Sequence, residues 1–375
     1  EFMEQKNKKK ISTQTIIKLL LAVVLLGLSA FLLKGDVWTF WTWWLLAGVM
    51  GFAAMPVTGR LFWRFEDKGW IFSKVAIAAT GFLTWFLTAI RLIPFNALTC
   101  AAVTILCAVI CFFLLRKESK EKTECFPVDR ISLIYWEELL FFLAFLMWTY
   151  LAGFRPAAYG TEKFMDYGFM EAMMRSTTLP ARDLWYSEGH INYYYGGQYF
   201  AVFLTKLSHT KVELTYNLMR TFVAGLAFAM PFSLVYQMMS DRMKGQQKSE
   251  KVIKGLPFAA GFTAGTAVSI AGNMHYVIYA QIIPLIEKLT GKEVSSYWFP
   301  DATRYIGFNP DVPDKTIHEF PCYSFVLGDL HAHVVNIMFV LLLLGLLYAW
   351  MKKVRNTTPS VEKQGRKKFW MKQLL

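Results

Sequence analysis

Long unbroken apolar runs constrain this chain more than any other feature. Stretches at 15–34, 37–58, 71–93, 96–115, 131–153, 214–239, 255–272 and 333–351 are predominantly apolar. Each is close to the ~20 residues that a helix needs to cross a bilayer. The runs are continuous rather than alternating, which excludes a membrane barrel built of short alternating strands. Helices satisfy their backbone groups internally, so lipid favours them. The expected fold class is therefore an all-α polytopic membrane protein with about eight transmembrane helices. Composition agrees: 55% of residues are hydrophobic and 18% charged, against about 25% charged in a soluble domain. Mean hydropathy is +0.34.

The net charge of +13 does not point to nucleic acid. The basic residues sit in short loops and tails beside apolar runs, where Lys and Arg mark the cytoplasmic side. They are Lys6 to Lys10; Arg60, Arg64 and Lys68; Arg116, Lys117, Lys120 and Lys122; Arg242, Lys244, Lys248, Lys251 and Lys254; and the tail from Lys352 to Lys368. With eight spans, all of these fall on one side, and both termini are cytoplasmic. The stretch 191–208 is apolar enough to resemble a span. Counting it would put the 241–254 loop outside, so it is expected at the outer interface as a re-entrant or surface helix, where tyrosines are favoured. Residues 1–14 then form the cytoplasmic start, with Glu1 and Phe2 before Met3 reading as a cloning scar. Residues 15–130 form a four-helix membrane region and 131–351 a second membrane module. That module carries outer segments 154–213 and 273–332, and 352–375 is a basic tail. The cysteines, Cys100, Cys107, Cys111, Cys125 and Cys322, show no metal or disulfide spacing and read as small apolar residues.

Of the histidines, His190, His209, His275, His318 and His331 fall in the outer segments, with His333 just past them. Thr161 is placed to cap a helix that ends before Pro180. Glu162 and Asp166, four apart, share one face of it. Phe169 and Met173 continue that face, so the carboxylates suit a partly apolar cleft and the raised proton affinity of a general base. They equally suit a solvated helix start. His190 and Asn192 lead into Tyr193, Tyr194 and Tyr195, which read either as a sugar-stacking surface or as an interfacial anchor. Asp329, His331 and His333 have metal-ligand chemistry. On a continuous helix, however, Asp329 and His331 would lie about 200° apart and only Asp329 and His333 would share a face. Arg155, Lys163, Arg175, Arg182 and Arg304 supply scattered cations, some suited to clamp a phosphate. Nucleotide-binding loops, HExxH and GxSxG are absent. Arg91, Glu137, Glu138 and Arg220 are among the charges within the spans.

The segments EKFMDYGFMEAMMRS, INYYYGG, YWFPDATR and EFPCYSFVLGDLHAH occur in that order. Together they resemble the YYY-domain membrane protein family over roughly residues 131–345. That family in turn resembles the GT-C superfamily of integral membrane glycosyltransferases. The resemblance implies transfer of a sugar from a polyprenyl-phosphate donor, on the extracytoplasmic face of the plasma membrane, to a glycan, protein or lipid acceptor. It gives the base role to Glu162 or Asp166. It gives substrate binding to Arg155, Lys163, His190, Asn192, Tyr193, Tyr194, Tyr195, Asp301, Arg304, Glu319, Asp329, His331 and His333. It departs from GT-C enzymes in its separated acids and in the few spans after the last motif, so the chain reads as a fragment, a short family member or half of a complex with a partner subunit. No particular cofactor is implied, and a divalent cation is compatible. Two other functions suit the same residues: a metal-dependent hydrolase or phosphotransferase at Asp329, His331 and His333, and a non-enzymatic carrier of a lipid-linked glycan.

Overall fold

The computed structural model describes residues 12–121, 125–244, 246, 249–292 and 296–357. The expected scar, the Lys6–Lys10 run, Lys122, Lys248 and the tail beyond residue 357 lie outside them. Among the described residues the chain is helical, and its only β pairings are isolated bridges at Arg182–His190 and Phe308–Asp311. Twelve helical segments position the site: α1 (Thr13–Leu33), α2 (Val37–Leu61), α3 (Trp70–Ala89), α4 (Ala97–Glu121), α5 (Ile131–Ala152) and α6 (Lys163–Arg175), followed by α7 (Gly196–Ser208), α8 (Val212–Met243), α9 (Glu250–Ser269), α10 (Ile283–Thr290), α11 (Pro321–Leu327) and α12 (Ala332–Thr357).

Six helical stretches are long and apolar enough to cross a membrane: Thr13–Leu61, Trp70–Ala89, Ala97–Leu114, Val128–Ala152, Val212–Met243 and Ala332–Val354. The first merges two of the expected spans, and the expected span at 255–272 is not among the six. Helical backbone runs through Thr13–Leu61, but the chain reverses within it. Trp41 Nε1 donates to Ser29 Oγ at 3.0 Å. In a straight helix those residues would lie ~18 Å apart along the axis. The reversal is at Lys34–Asp36, a short 3-10 turn.

The bundle is built around α8. Of its most apolar window, 89% is buried inside the protein, against 11% for Thr13–Leu61 and for Ala97–Leu114. The peripheral helices turn large apolar side chains outward, among them Leu19, Val23, Ile105 and Phe113, as lipid-facing surfaces do. Small residues bring the neighbours of α8 close. A Cβ on Gly261 or Gly265 of α9 would stand 2.7 Å from the Phe232 or Phe228 carbonyl oxygen. This four-residue spacing of small residues is a common helix-packing device in membranes. On the other flank, Gly225 packs on Phe141 and Phe145 of α5.

The basic ends of the helices gather at one end of the bundle. Arg64 Nη1 donates to the Lys352 carbonyl at 2.7 Å, and Lys352 Nζ donates back to the Arg64 carbonyl at 2.8 Å. Asp241 pairs with Lys244 at 3.0 Å and Lys352 at 2.5 Å. Arg60 reaches the Leu114 carbonyl at 2.9 Å.

The segment 191–208, expected at the outer interface as a re-entrant or surface helix, is corrected in the second alternative. Its helix, α7, spans 13 residues, or ~20 Å, short of the ~30 Å hydrocarbon layer. It is sunk inside the bundle rather than lying on a surface. Tyr199, Ala201, Val202, Phe203 and Thr205 are at most 1% exposed, and Tyr199 Oη donates to the Gly81 carbonyl of α3 at 2.7 Å. Non-spanning backbone at such depth is tolerated where protein surrounds it.

Candidate functional site

At the end of the bundle away from the gathered basic residues, α6, α7 and the turn before α12 bring four carboxylates and two imidazoles together. Asp166 sits in the first turn of α6 and is fully buried. Gln198, near the start of α7, donates its amide to Asp166 Oδ1 at 2.7 Å and to the Leu330 carbonyl at 2.9 Å. Both Gln198 donors are thereby used, and Asp166 Oδ2 is buried without a hydrogen-bond partner. His331 Nε2 stands 3.1 Å from Glu162 Oε2, 3.8 Å from Asp329 Oδ2 and 4.0 Å from Asp166 Oδ2. It too is buried and makes no hydrogen bond.

Thr161 departs from its expected role. It has φ +48, and the N-cap position falls to Glu162, whose side chain makes no capping bond. The Thr161 hydroxyl instead donates to Asp329 Oδ1 at 2.5 Å. Free of capping, Glu162 turns to His331.

The Asp329–His333 pair expected on one helical face is also corrected. Residues 328–331 are not helical, and α12 begins at Ala332. The turn swings Asp329 toward His331, while His333 meets Glu319, with Nε2 3.2 Å from Oε2. Ser324 Oγ donates to the same Glu319 oxygen at 2.7 Å. Gly328 makes the turn possible with φ +95, a region that favours glycine. A Cβ there would also lie 2.9 Å from Arg220 Nη1 and 3.1 Å from Lys163 Nζ.

Burial sets the proton affinities. It pushes Asp166 up to about 6, against the pull of His331 and the Gln198 hydrogen bond. It also raises Asp329, opposed by the Thr161 hydrogen bond and by His331 and Lys163. Burial alone would raise Glu319 as well, but bonds from His333 and Ser324 outweigh it and hold that acid low. Lys163 is lowered, first by burial and then by Arg220 and Arg155, against Asp329.

Beside this cluster lies a cavity of about 530 Å³, walled by Trp148, Phe299 and Phe325 and lined by Arg155, Lys163 and Arg220. Lys163 faces both spaces, because its charge acts on Asp329. Arg220, which the sequence marked only as a charge within a span, is 4% exposed. Its guanidinium donates to the Phe325 carbonyl at 2.6 Å and to Asn217 Oδ1 at 2.9 Å, and its Nε has no partner.

The tyrosine triplet splits. Tyr193 and Tyr194 stack with ring centroids 3.8 Å apart and a hydroxyl–hydroxyl bond of 2.6 Å. That bond, followed by burial and the nearby Glu162 and Asp166 charges, raises the Tyr194 phenol. Tyr195 turns inward and accepts from Trp85 Nε1 at 3.0 Å. The remaining expected site residues have other neighbours. His190 closes a small hairpin against Arg182, and Asn192 is exposed beside it. Asp301 lies in a 3-10 turn, Phe299–Thr303. Arg304 stacks over the Trp298 ring at 4.9 Å.

Residues 79–366 match the family described as uncharacterized membrane protein (DUF2298). The chain belongs to that family. It is the YYY-domain family that the ordered motifs resemble. No curated protein and no solved structure matches the chain.

Proposed function

We propose that this DUF2298 member is a glycosyltransferase that moves a sugar from a polyprenyl-phosphate carrier to an acceptor hydroxyl at the extracytoplasmic face, with Asp166 as general base. One observation carries the reading. A buried carboxylate with an open oxygen, Asp166 Oδ2, belongs to an acid cluster that Lys163 joins, through Asp329, to a cavity combining aromatic walls with three cations. Apolar walls suit a prenyl chain, and Arg155, Lys163 and Arg220 suit its phosphate. In the transfer, the acceptor oxygen attacks the anomeric carbon as Asp166 Oδ2 takes its proton. The bond from that carbon to the phosphate oxygen breaks, and the polyprenyl phosphate departs with its charge held by the three cations. Asp166 suits the base role better than Glu162, because its burial raises its proton affinity to about 6. The side chain of Glu162 is 52% exposed.

The test is a thermal-shift measurement in detergent with undecaprenyl phosphate and its sugar-loaded forms, followed by a radiolabelled transfer assay. Stabilisation by the carriers that is weakened, but not abolished, in Lys163→Met supports the reading. Absence of any stabilisation, or normal transfer by Asp166→Asn, overturns it. A second reading, metal-dependent hydrolysis of a phosphate ester, is favoured by the grouping of His331 and His333 with Glu319. It predicts phosphate release without an acceptor.

A further inference from the structure

We infer that Glu319, His331 and His333 form a binding site for one divalent transition-metal ion. One ligand atom from each lies within 4.8 Å of the others. The grouping is produced by the fold, not by sequence spacing. Glu319 precedes α11, and the turn at Gly328 returns the chain so that His331 and His333 face it. The expected triad of Asp329, His331 and His333 is thereby revised, with Glu319 in place of Asp329.

Three further observations point to a cation. His331 Nε2 is buried with no hydrogen bond, an open ligand atom aimed into the cluster. Glu162, Asp329 and Asp166 place carboxylate oxygens 3.1, 3.8 and 4.0 Å from it. With Glu319 these make a surplus of buried or half-buried negative charge, which is costly unless a cation offsets it. Glu319 already has an outer partner, the Ser324 hydroxyl at 2.7 Å. Such partners orient metal-ligating carboxylates. Two imidazole nitrogens and one carboxylate select zinc over manganese, magnesium or calcium, which prefer oxygen ligands. Glu162 is placed to add a fourth ligand. Any use of the ion in transfer rests on the glycosyltransferase reading. The site itself rests on its donor geometry.

The experiment uses the full chain in detergent, stripped with chelator and desalted after exposure to zinc, manganese, magnesium or calcium. Retained metal is measured by mass spectrometry, and cobalt loading is followed by its visible absorption. The expected result is one equivalent of zinc per chain and stabilisation against heat. Glu319→Gln and His333→Gln should each weaken retention about 10- to 100-fold, while His190→Ala leaves it unchanged. Monodisperse elution on size exclusion and a cooperative thermal melt of the metal-free variants check that they are folded. Retention of no ion by the wild-type chain, or full retention by the folded Glu319→Gln/His333→Gln double variant, overturns the site. Metal retention without any response to polyprenyl phosphates overturns the transferase reading and leaves the metal site standing.

Discussion

Lys74 (2% exposed) and Asp166 (0% exposed) are comparably buried at opposite ends of one bundle, with different surroundings. Lys74 Nζ lies 2.6 Å from Glu138, which also accepts from Trp70 Nε1 at 2.5 Å. Nearby, Asp67 accepts from the Gly69 backbone at 3.0 Å and from Ser233 at 3.1 Å. There the charges close on one another inside the protein. Glu137 is an exception, with both oxygens lacking a hydrogen bond, and Lys74 Nζ likewise lacks one, although its ion pair with Glu138 holds its charge. Around Asp166 the arrangement is open: acids outnumber cations, and a carboxylate oxygen and an imidazole nitrogen have no hydrogen-bond partner. A closed set serves the fold. An open set costs stability and is tolerated where function needs it.

Substitutions test that contrast. The largest effect is expected from Asp166→Asn, which should lower transfer by ~10²–10⁴-fold while leaving the melting temperature in detergent unchanged or higher. A large loss of stability would make Asp166 part of the closed set. Lys74→Met should do the opposite. It strands Glu138, costs ~3–5 kcal/mol as broken buried pairs do, and should appear as a drop in thermal stability that no carrier lipid restores.

The pH dependence separates the two ends as well. Asp166 is raised from 3.8 to about 6 in the folded protein, so the folded state holds a proton that the unfolded chain releases. Its contribution to stability is therefore fullest below about pH 4, falls by roughly 2–3 kcal/mol as pH rises to about 6, and is level above. Asp166→Asn should flatten that slope in thermal melts, and wild-type transfer should rise with pH through about 6 as the base ionises. Lys163→Met should weaken stabilisation by undecaprenyl phosphate about 10-fold, the loss of one charge-assisted bond. Tyr194→Phe keeps the ring and loses only the hydroxyl pair. It should change KM by less than about 5-fold, whereas a larger change would give the hydroxyl a direct role.

The spanning helices were legible because an apolar run reports its own environment. So was the pairing of Glu162 with Asp166, because four residues on a helix always share a face. The burial of α7 was not legible. The tyrosines of 191–208 read as boundary residues, but Tyr199, Gln198 and Lys206 are bonded to Gly81, Asp166 and Met174. Glu319 and His333 are 14 residues apart and meet only because Gly328 reverses the chain. Thr161 has a capping residue's chemistry, but its positive φ sends the hydroxyl elsewhere. Arg220 was visible as an intramembrane charge, the kind most often tied to function, yet its cavity is assembled from four separate helices.

Three helices begin at the candidate site: α6 at Lys163, α7 at Gly196 and α12 at Ala332. They converge closely, for a Cβ on Gly197 would lie 3.1 Å from Ala332 Cα. Each start carries about half a positive charge from its aligned peptide dipoles. The acids therefore sit in a positive field produced by the backbone itself, and an incoming phosphate would meet that field too. Because the field belongs to the main chain, substituting any one lysine or arginine should reduce anion affinity without abolishing it.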